Sequence, residues 1–242
     1  MRLVSDPFRA PRAGLVLLTA LAVPARAEDS ADCSGQPDLG RALRRAHVVA
    51  ERRVPFIKTA EADPACPSLA PACRDTAYLV AGDSVIRGGS RGAFACATYV
   101  GVTGQTRSGW LPAGALADDL PAKVVLYDWV GTWTSGSEQT ITVRRKGDRL
   151  AVSGTATYGT RNPDRLRHGA INTGSIEAEL RPDGPDLAWT DGETGIVPRF
   201  SPGDMMSCSV RMRLLPPNLI AESTAACGGM NVTFGGVYGR ER

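Results

Sequence analysis

The chain has 242 residues, with 28 Lys or Arg and 25 Asp or Glu, so its formal net charge is +3. Apolar residues make up 43% and charged residues 22% of the sequence, which is typical of a globular protein and excludes a wholly disordered one. Residues 1–27 hold four of the arginines and one of the aspartates, so the rest of the chain has 24 basic and 24 acidic residues. This balance argues against a nucleic-acid binder that works through a strongly basic surface.

The first 27 residues have the three parts of a secretory signal peptide. Arg2, Arg9 and Arg12 form a basic segment, residues 13–23 are apolar, and Ala25-Arg26-Ala27 matches an A-x-A cleavage site. The apolar run is shorter than the roughly 20 residues that a membrane-spanning helix needs. We therefore predict a signal peptide over 1–27 and a periplasmic or secreted mature protein without a transmembrane segment.

All six cysteines follow this segment, and an even number in an exported chain indicates up to three disulfides. Their spacings do not match the usual zinc-binding pairs, and only two histidines are present, so we predict neither a metal nor another cofactor. Four of the cysteines allow three pairings. Our preference is for Cys33–Cys96 with Cys66–Cys73.

The first β-rich region follows a polar lead over residues 28–45. Asp38 is a candidate cap for a helical turn or two over 39–49, although an extended conformation fits better from Ala46 onward because β-branched and aromatic residues dominate there. After a loop rich in Pro, Ala and Cys, three short strands are predicted near residues 85, 94–100 and 108–111, separated by glycine-containing turns.

Residues 46–120 resemble a bacterial SH3-like domain. The resemblance depends on Gly82-Asp83 before an apolar strand, on the aromatic strand 94–100, and on the closing segment Gly109-Trp110-Leu111. It implies a small barrel that holds peptides on exposed aromatic side chains, often in contact with cell-wall material. The candidate partner-binding residues in this region are Tyr78, Phe94 and Trp110, and Trp110 is equally compatible with a place in the core.

Beyond residues 118–121, strand patterns recur at short intervals to the end of the chain. So many short strands within 125–242 predict an antiparallel barrel or a tightly closed sandwich. The eight predicted strands lie around Trp133 and over 139–145, 149–158, 174–181, 186–190, 207–214, 219–224 and 231–238.

One hairpin of this barrel has a predictable register. A tight turn at Pro217-Asn218 pairs residues whose numbers sum to 435, so that Arg213 faces Glu222 and Cys208 faces Cys227. Opposite charges then meet on the outer face and two thiols meet on the inner face. We therefore predict the disulfide Cys208–Cys227.

The second region also resembles the calycin barrels of lipocalins and fatty-acid-binding proteins. The resemblance depends on Gly131-Thr132-Trp133 near its start and on Arg240 near its end. It implies structural roles, in which Trp133 and Arg240 close one end of the barrel.

A barrel of eight strands either fills with side chains or holds one small ligand. Large apolar residues are plentiful in this one, which favours a filled core over a ligand cavity. The predicted inward residues are Trp133, Leu150, Val152, Tyr158, Leu180, Trp189, Met212, Leu214, Phe234 and Tyr238.

The loop 159–173 is the most unusual polar segment, because it gathers several arginines with a histidine. Arg165, Arg167 and His168 are candidates for binding an anionic group or an acidic partner. The alternative is a solvated loop that keeps the barrel soluble.

Catalytic signals are weak. Neither His47 nor His168 stands in a recognisable arrangement with a nucleophile, and no phosphate-binding or dinucleotide motif is present. We therefore predict an all-β, exported, non-enzymatic binding protein of the bacterial cell envelope, whose SH3-like part contacts wall peptide or an envelope protein. The alternatives are a small-ligand carrier that uses the barrel lumen and a secreted inhibitor or interaction protein that acts through the loop 159–173.

Overall fold

The computed structural model describes residues 33–241; the predicted signal peptide lies outside this range. The described chain is all-β, as expected, and forms two antiparallel sheets. The first sheet contains β1 (Arg44–Val48), β2 (Val54–Ile57), β3 (Arg74–Leu79), β4 (Ser84–Arg91), β5 (Phe94–Val100), β6 (Thr106–Pro112) and β7 (Leu116–Asp118).

The second sheet forms a nearly closed barrel of nine strands. Its strands are β8 (Gly131–Ser135), β9 (Gln139–Lys146), β10 (Arg149–Tyr158), β11 (Asn172–Leu180), β12 (Asp186–Gly192), β13 (Gly195–Val197), β14 (Cys208–Leu215), β15 (Asn218–Ser223) and β16 (Gly236–Arg240). Residues 33–241 contain two α-helices, each about one turn long: α1 (Leu126–Trp129) and α2 (Pro163–Arg167).

The first sheet has the strand order β3-β2-β6-β5-β4-β1-β7. Its core is built from alternating residues, among them Val48, Phe56 and Leu111, which are all buried. Gly109 is required beside this core, because a Cβ atom there would lie 2.9 Å from Cδ1 of Phe56.

The helical turns considered for residues 39–49 are not formed. Asp38 does cap a turn, since its Oδ1 accepts a hydrogen bond of 2.7 Å from the Gly40 backbone N–H. The chain then extends into β1, which pairs with β4 on one side and β7 on the other. Two ladders of sheet hydrogen bonds outweigh a helical propensity that is weak for this segment.

The barrel is an antiparallel meander in which β16 pairs with β8 and so joins the last strand to the first. All eight predicted strands are present, with two differences. A short hairpin adds β13, which pairs with the end of β12 around a turn at Glu193-Thr194. The last strand begins at Gly236 rather than at residue 231; Val232 and Phe234 precede it and are buried in the barrel core without joining a ladder.

The barrel has one seam, between β11 and β12, which are neighbours along the chain but form no ladder with each other. At one end of the seam the chain after β15 comes back to β11. Gly174 and Gly228 form an isolated bridge there, and the Gly229 backbone N–H donates to the Thr173 carbonyl at 3.1 Å. This contact replaces strand pairing in that part of the barrel wall.

Side chains fill the barrel. The inward residues form one buried cluster, in which Trp129, Trp133 and Trp189 are at most 1% exposed. Burial raises the pKa of the Tyr238 hydroxyl, which donates to the Phe234 carbonyl at 2.8 Å. Every predicted inward residue is buried except Tyr158, which is 36% exposed because it ends β10 at the rim of the barrel.

The β14–β15 hairpin has a different register from the predicted one. Its turn lies at Pro216-Pro217, so paired residue numbers sum to 433, and Arg211 rather than Arg213 faces Glu222. Arg213 instead pairs with Asp186 on β12 at 2.6 Å. Neither proline has an N–H for the ladder, which places both in the turn and starts the next strand at Asn218.

The three predicted disulfides are all present: Cys33–Cys96, Cys66–Cys73 and Cys208–Cys227. The last one forms although the predicted register is wrong. Cys227 lies in a 3-10 turn after β15, not in the ladder, and this turn brings its Cα to 4.4 Å from that of Cys208.

The two sheets pack against each other through a small apolar interface. Ile86 on β4 meets Ile220 on β15 and Val237 on β16, and Leu39 packs among them. Leu39 belongs to residues 33–43, which we call the strap because they connect both sheets. Within residues 33–241, neither helix has the length and hydropathy needed to cross a membrane.

Candidate functional site

The predicted aromatic residues of the first sheet have unequal exposure. Tyr78 is 44% exposed, Phe94 is partly buried, and Trp110 is 0% exposed. Trp110 therefore belongs to the core and offers no surface to a partner in this structure, which corrects its place among the candidate binding residues.

Trp110 is buried because two disulfide-linked segments cover it. It packs in a second small core with Ile57 and three cysteines, Cys33, Cys66 and Cys73, while Phe94 lies at the edge of this cluster. Strand alternation puts Tyr78 and Trp110 on the same side of the sheet, since Leu79 and Leu111 both enter the main core. The loop that carries Cys66 and Cys73 covers only one of them.

Tyr78 remains on the surface, where the Arg53 guanidinium lies 4.4 Å from its ring centroid. A cation held over one face of an aromatic ring makes that face unavailable to a partner. Of the three predicted aromatic side chains, Tyr78 is therefore the most exposed, and Arg53 covers one face of its ring.

The loop 159–173 contains the short helix α2, whose first turn is capped by Asn162. Its Oδ1 accepts hydrogen bonds from the backbone N–H groups of Asp164 and Arg165. Arg165 lies over the exposed ring of Tyr158, 5.0 Å from its centroid, and its Nε–H donates to the Ala170 carbonyl at 3.0 Å.

The other two candidates in this loop are also engaged within it. Arg167 pairs with Asp164, and His168 Nδ1 lies 2.7 Å from the Asp164 carbonyl oxygen. The three predicted side chains are thus brought into one loop, but each has a local partner. Their contacts stabilise the loop and do not converge on an open site.

Trp133 and Arg240 meet as the calycin resemblance implies. The Arg240 guanidinium lies 4.6 Å from the Trp133 ring centroid and also donates to the Asp128 carbonyl. Trp133 Nε1–H donates to the Trp129 carbonyl at 2.9 Å. These contacts hold α1 against the start of the barrel wall.

One cluster has the residue types of a metal site. Asp63, Cys66 and Cys73 bring a carboxylate oxygen and two sulfurs within 4.8 Å of one another. The two sulfurs are bonded to each other, however, and a disulfide sulfur is not the thiolate that binds metal. The cluster therefore offers one ligand, the Asp63 carboxylate.

One cluster also has the residue types of a hydrolase. His47 lies opposite Ser84 across β1 and β4, and its Nδ1 is 2.6 Å from Oδ1 of Asp119. In the described part of the chain Ser84 makes no hydrogen bond to His47. The contact that would remove the serine proton is thus missing, and the His47–Asp119 pair joins β1 to the chain after β7.

A groove of about 690 Å³ lies between the two sheets, and we call it the inter-sheet groove. Its first wall is the outer face of β4 and β5, and its second is formed by the β14–β15 turn and the end of β16. The lining residues are polar or charged (Arg45, Ser84, Thr98, Asn218, Arg240, Glu241), apolar (Val85, Ile86, Val100, Val102, Pro217) or glycine (Gly101, Gly104, Gly239).

Ion pairs fix the β1 side of the groove. Arg45 Nε lies 3.6 Å from Oδ2 of Asp119, and Arg44 and Arg87 each pair with Asp118 at 2.9 Å. Burial raises the pKa of Asp118, but hydrogen bonds from both arginines and their positive charge outweigh burial and hold it below its ordinary value. Asp118 therefore remains ionised and keeps β1, β4 and β7 in place.

The strap closes the other side of the interface. Gln36 Nε2–H donates to the Gly235 carbonyl at 2.9 Å, and Arg213 Nη1–H donates to the Arg41 carbonyl at 3.2 Å. The Cys33–Cys96 disulfide joins the strap to the first sheet. The walls of the groove are thus held at a set distance by covalent and hydrogen bonds.

No local feature of the sequence marks this groove. Its residues come from strands that are far apart in the chain, and each is an ordinary polar or apolar residue of a strand face or turn. The predicted turn at Pro217-Asn218 was one residue away from the observed turn, so the residues facing the first sheet were not identified.

Comparison of the chain with protein-family models, with curated proteins and with solved structures finds no match. The geometry of the described residues is therefore what bears on function.

Proposed function

We propose that the protein is an exported, non-enzymatic binding protein of the bacterial cell envelope, and that the inter-sheet groove is its binding site. Three disulfides support an oxidising compartment, since such bonds persist outside the cytosol. The signal peptide predicted over residues 1–27 supports the same location. In this proposal the first sheet is an SH3-like module and the second is a calycin-like barrel.

The observation that carries the proposal is the groove itself, which two rigidly connected sheets build together. Its lining includes apolar residues such as Val100, the charged Arg45 and the exposed hydroxyl of Ser84. Mixed linings of this kind suit an extended peptide, whose backbone needs hydrogen bonds and whose side chains need apolar contact. A stem peptide of the cell wall or a segment of an envelope protein has this chemistry.

Because side chains fill the barrel lumen, binding in the groove is better supported than transport of a small ligand in the lumen. A carrier needs an internal space, whereas the inward side chains of this barrel form one buried cluster. The inhibitor proposal has less support, because Arg165 and Arg167 are engaged within their own loop.

The proposal can be tested by co-sedimentation of the mature protein, residues 28–242, with purified peptidoglycan. Ser84 is exposed and lines the groove, so Ser84→Trp fills it from one wall. We expect the parent protein to sediment above an albumin control and Ser84→Trp to lose at least about tenfold in affinity, as when a binding pocket is blocked at its centre.

The matched control is Ser153→Trp, the same substitution at an exposed position of β10. It should sediment like the parent protein. Tyr78→Ala separates the groove from the aromatic surface: if Tyr78→Ala loses binding while Ser84→Trp keeps it, the groove is not the site. No enrichment of the parent protein would contradict binding to the wall.

A further inference from the structure

A second surface, at the β12–β13 hairpin and the segment that follows it, combines exposed apolar side chains with negative charge. Met205 is 80% exposed, Met206 is 91% exposed, and Val197 on β13 is 40% exposed. Val197 and Met206 line one concavity of about 590 Å³. We call it the 190–207 surface. It shares no lining residue with the inter-sheet groove.

The segment that carries the two methionines is fastened to the barrel. The Thr190 hydroxyl donates to the Arg199 carbonyl at 2.8 Å, and the Ser201 backbone N–H donates to Oγ of Ser209 at 2.7 Å. Asp204 then forms a turn, because its Oδ1 accepts from the backbone N–H of Met206 at 3.0 Å. The methionines are thus held outward by a built turn.

The same surface is an edge of the sheet. β13 is the outermost strand, and every one of its residues is exposed. Ile196 lies opposite Asp191 next to a two-residue turn, at a position whose N–H and C=O point away from the paired strand. Exposed apolar residues at an open edge are a place where another extended chain can pair.

The charges around the concavity are predominantly negative. Asp191, Glu193 and Asp204 line it, with Arg199 as its one basic residue. Among residues 33–241, neither Asp191 nor Glu193 forms an ion pair. Hydrogen bonds from Ser207 and Met206 hold the pKa of the Asp204 carboxyl below its ordinary value, so this group also stays ionised.

We propose that the 190–207 surface docks an extended segment of a partner protein in which basic side chains alternate with apolar ones. The apolar side chains pack on Met205, Met206 and Val197, and methionine adapts well to varied partners. The basic side chains face Asp191 and Glu193. The same negative charge repels nucleic acids and anionic lipid surfaces, so the complementary partner is a cationic amphipathic chain.

The test uses fluorescence anisotropy with a labelled twelve-residue peptide of alternating Lys and Leu, and with its Glu and Leu counterpart. We expect the Lys–Leu peptide to bind and the Glu–Leu peptide not to bind. Met206→Asp should weaken binding at least about tenfold, because it charges the apolar centre of the surface. Asp191→Asn with Glu193→Gln should weaken it about threefold and reduce its dependence on salt.

Tyr127→Asp is the control, since Tyr127 is 74% exposed and lies elsewhere on the protein. It should leave binding unchanged. Equal binding of the two peptides, unchanged binding by Met206→Asp, or an equal loss with Tyr127→Asp would overturn the proposal. Dimerisation that Met206→Asp abolishes, measured by sedimentation velocity, would instead assign the surface to a second copy of this chain.

Discussion

Trp110 and Tyr78 lie on one side of the first sheet and have opposite environments. Trp110 is fully buried under two disulfide-linked segments, whereas Tyr78 is exposed beside Arg53. The difference comes from segments outside the sheet and not from the strand pattern. Strand alternation therefore tells which side of the sheet an aromatic side chain lies on. Whether that side chain is buried or exposed depends on the segment that covers it.

We expect Trp110→Ala to lower the free energy of unfolding by about 3–5 kcal/mol, measured by chemical denaturation, because a large buried side chain leaves a cavity. Trp110→Phe should cost less, since the Trp110 Nε1–H has no hydrogen-bond partner among residues 33–241. Tyr78→Ala should cost at most about 1 kcal/mol, the value of an exposed cation–π contact. Equal losses for Trp110→Ala and Tyr78→Ala would show that the covering segments do not bury Trp110.

Asp118 should contribute stability that depends on pH. Its folded-state pKa lies below the ordinary value of 3.8, so its contribution is fully present above that value and is lost as pH falls through the folded pKa. We expect Asp118→Asn to lower the free energy of unfolding at pH 7 by less than about 1 kcal/mol, because the pairs with Arg44 and Arg87 are partly exposed.

The measurement is urea denaturation at a series of pH values. The difference between the parent protein and Asp118→Asn should shrink as the pH falls below the ordinary value of 3.8 and Asp118 is protonated. Glu51→Gln, at an exposed position without an ion pair among the described residues, is the control. A difference that stays constant down to pH 2 would mean that the arginine pairs do not stabilise the folded state.

At the level of elements, the barrel wall is completed by a contact between two glycines instead of a strand ladder. A Cβ atom on Gly174 would lie 2.5 Å from the Cys227 carbonyl oxygen and 2.9 Å from the Gly228 Cα. Both atoms belong to the backbone, so a side chain at Gly174 has to move the chain that closes the seam.

We expect Gly174→Ala to destabilise the protein by about 1–3 kcal/mol, the usual cost of a steric clash in a packed region. Thermal unfolding followed by circular dichroism measures the effect. Gly114→Ala is the matched control, because a Cβ atom there meets no atom within 4 Å, and its change should stay within about 0.5 kcal/mol. A stability loss that is the same for both variants would contradict the tight seam.

At the hairpin β14–β15 the predicted disulfide is present, although the predicted strand register is wrong. The cysteine pair was identified from the expectation that both thiols face inward, and Cys208–Cys227 is present. The register was wrong because two consecutive prolines occupy the turn. The 3-10 turn that carries Cys227 compensates for the shift.

At the level of the whole molecule, the strap makes one unit of the two sheets. It is bonded to the first sheet through Cys33–Cys96 and to the barrel through Gln36, and Leu39 is 7% exposed between them. Apolar burial at a shared interface couples the unfolding of the parts that share it.

We expect the parent protein to unfold in a single transition by differential scanning calorimetry. Leu39→Asp should separate it into two transitions, because an unpaired charge at the interface opposes packing of the sheets. Leu69→Asp is the control at a position that is 62% exposed. Two transitions in the parent protein, or one unchanged transition in Leu39→Asp, would show that the strap does not couple the sheets.

The sequence by itself determined the all-β class, the positions of most strands and the Cys208–Cys227 disulfide, whereas Cys33–Cys96 with Cys66–Cys73 was the preferred one of three possible pairings. Alternation along each strand records which side chains enter a core, and turn residues such as glycine and proline mark where strands end. The contact between Trp133 and Arg240 was expected from the resemblance to calycin barrels and not from strand alternation.

Only the tertiary structure decided what lies on the surface. The loop that carries Cys66 and Cys73 covers Trp110. The inter-sheet groove lies where β4 faces the β14–β15 turn. Strand periodicity depends on contacts between near neighbours, which sequence patterns record. Exposure depends on which distant segments cover a face, and that is settled by packing between parts of the chain that share no local signal.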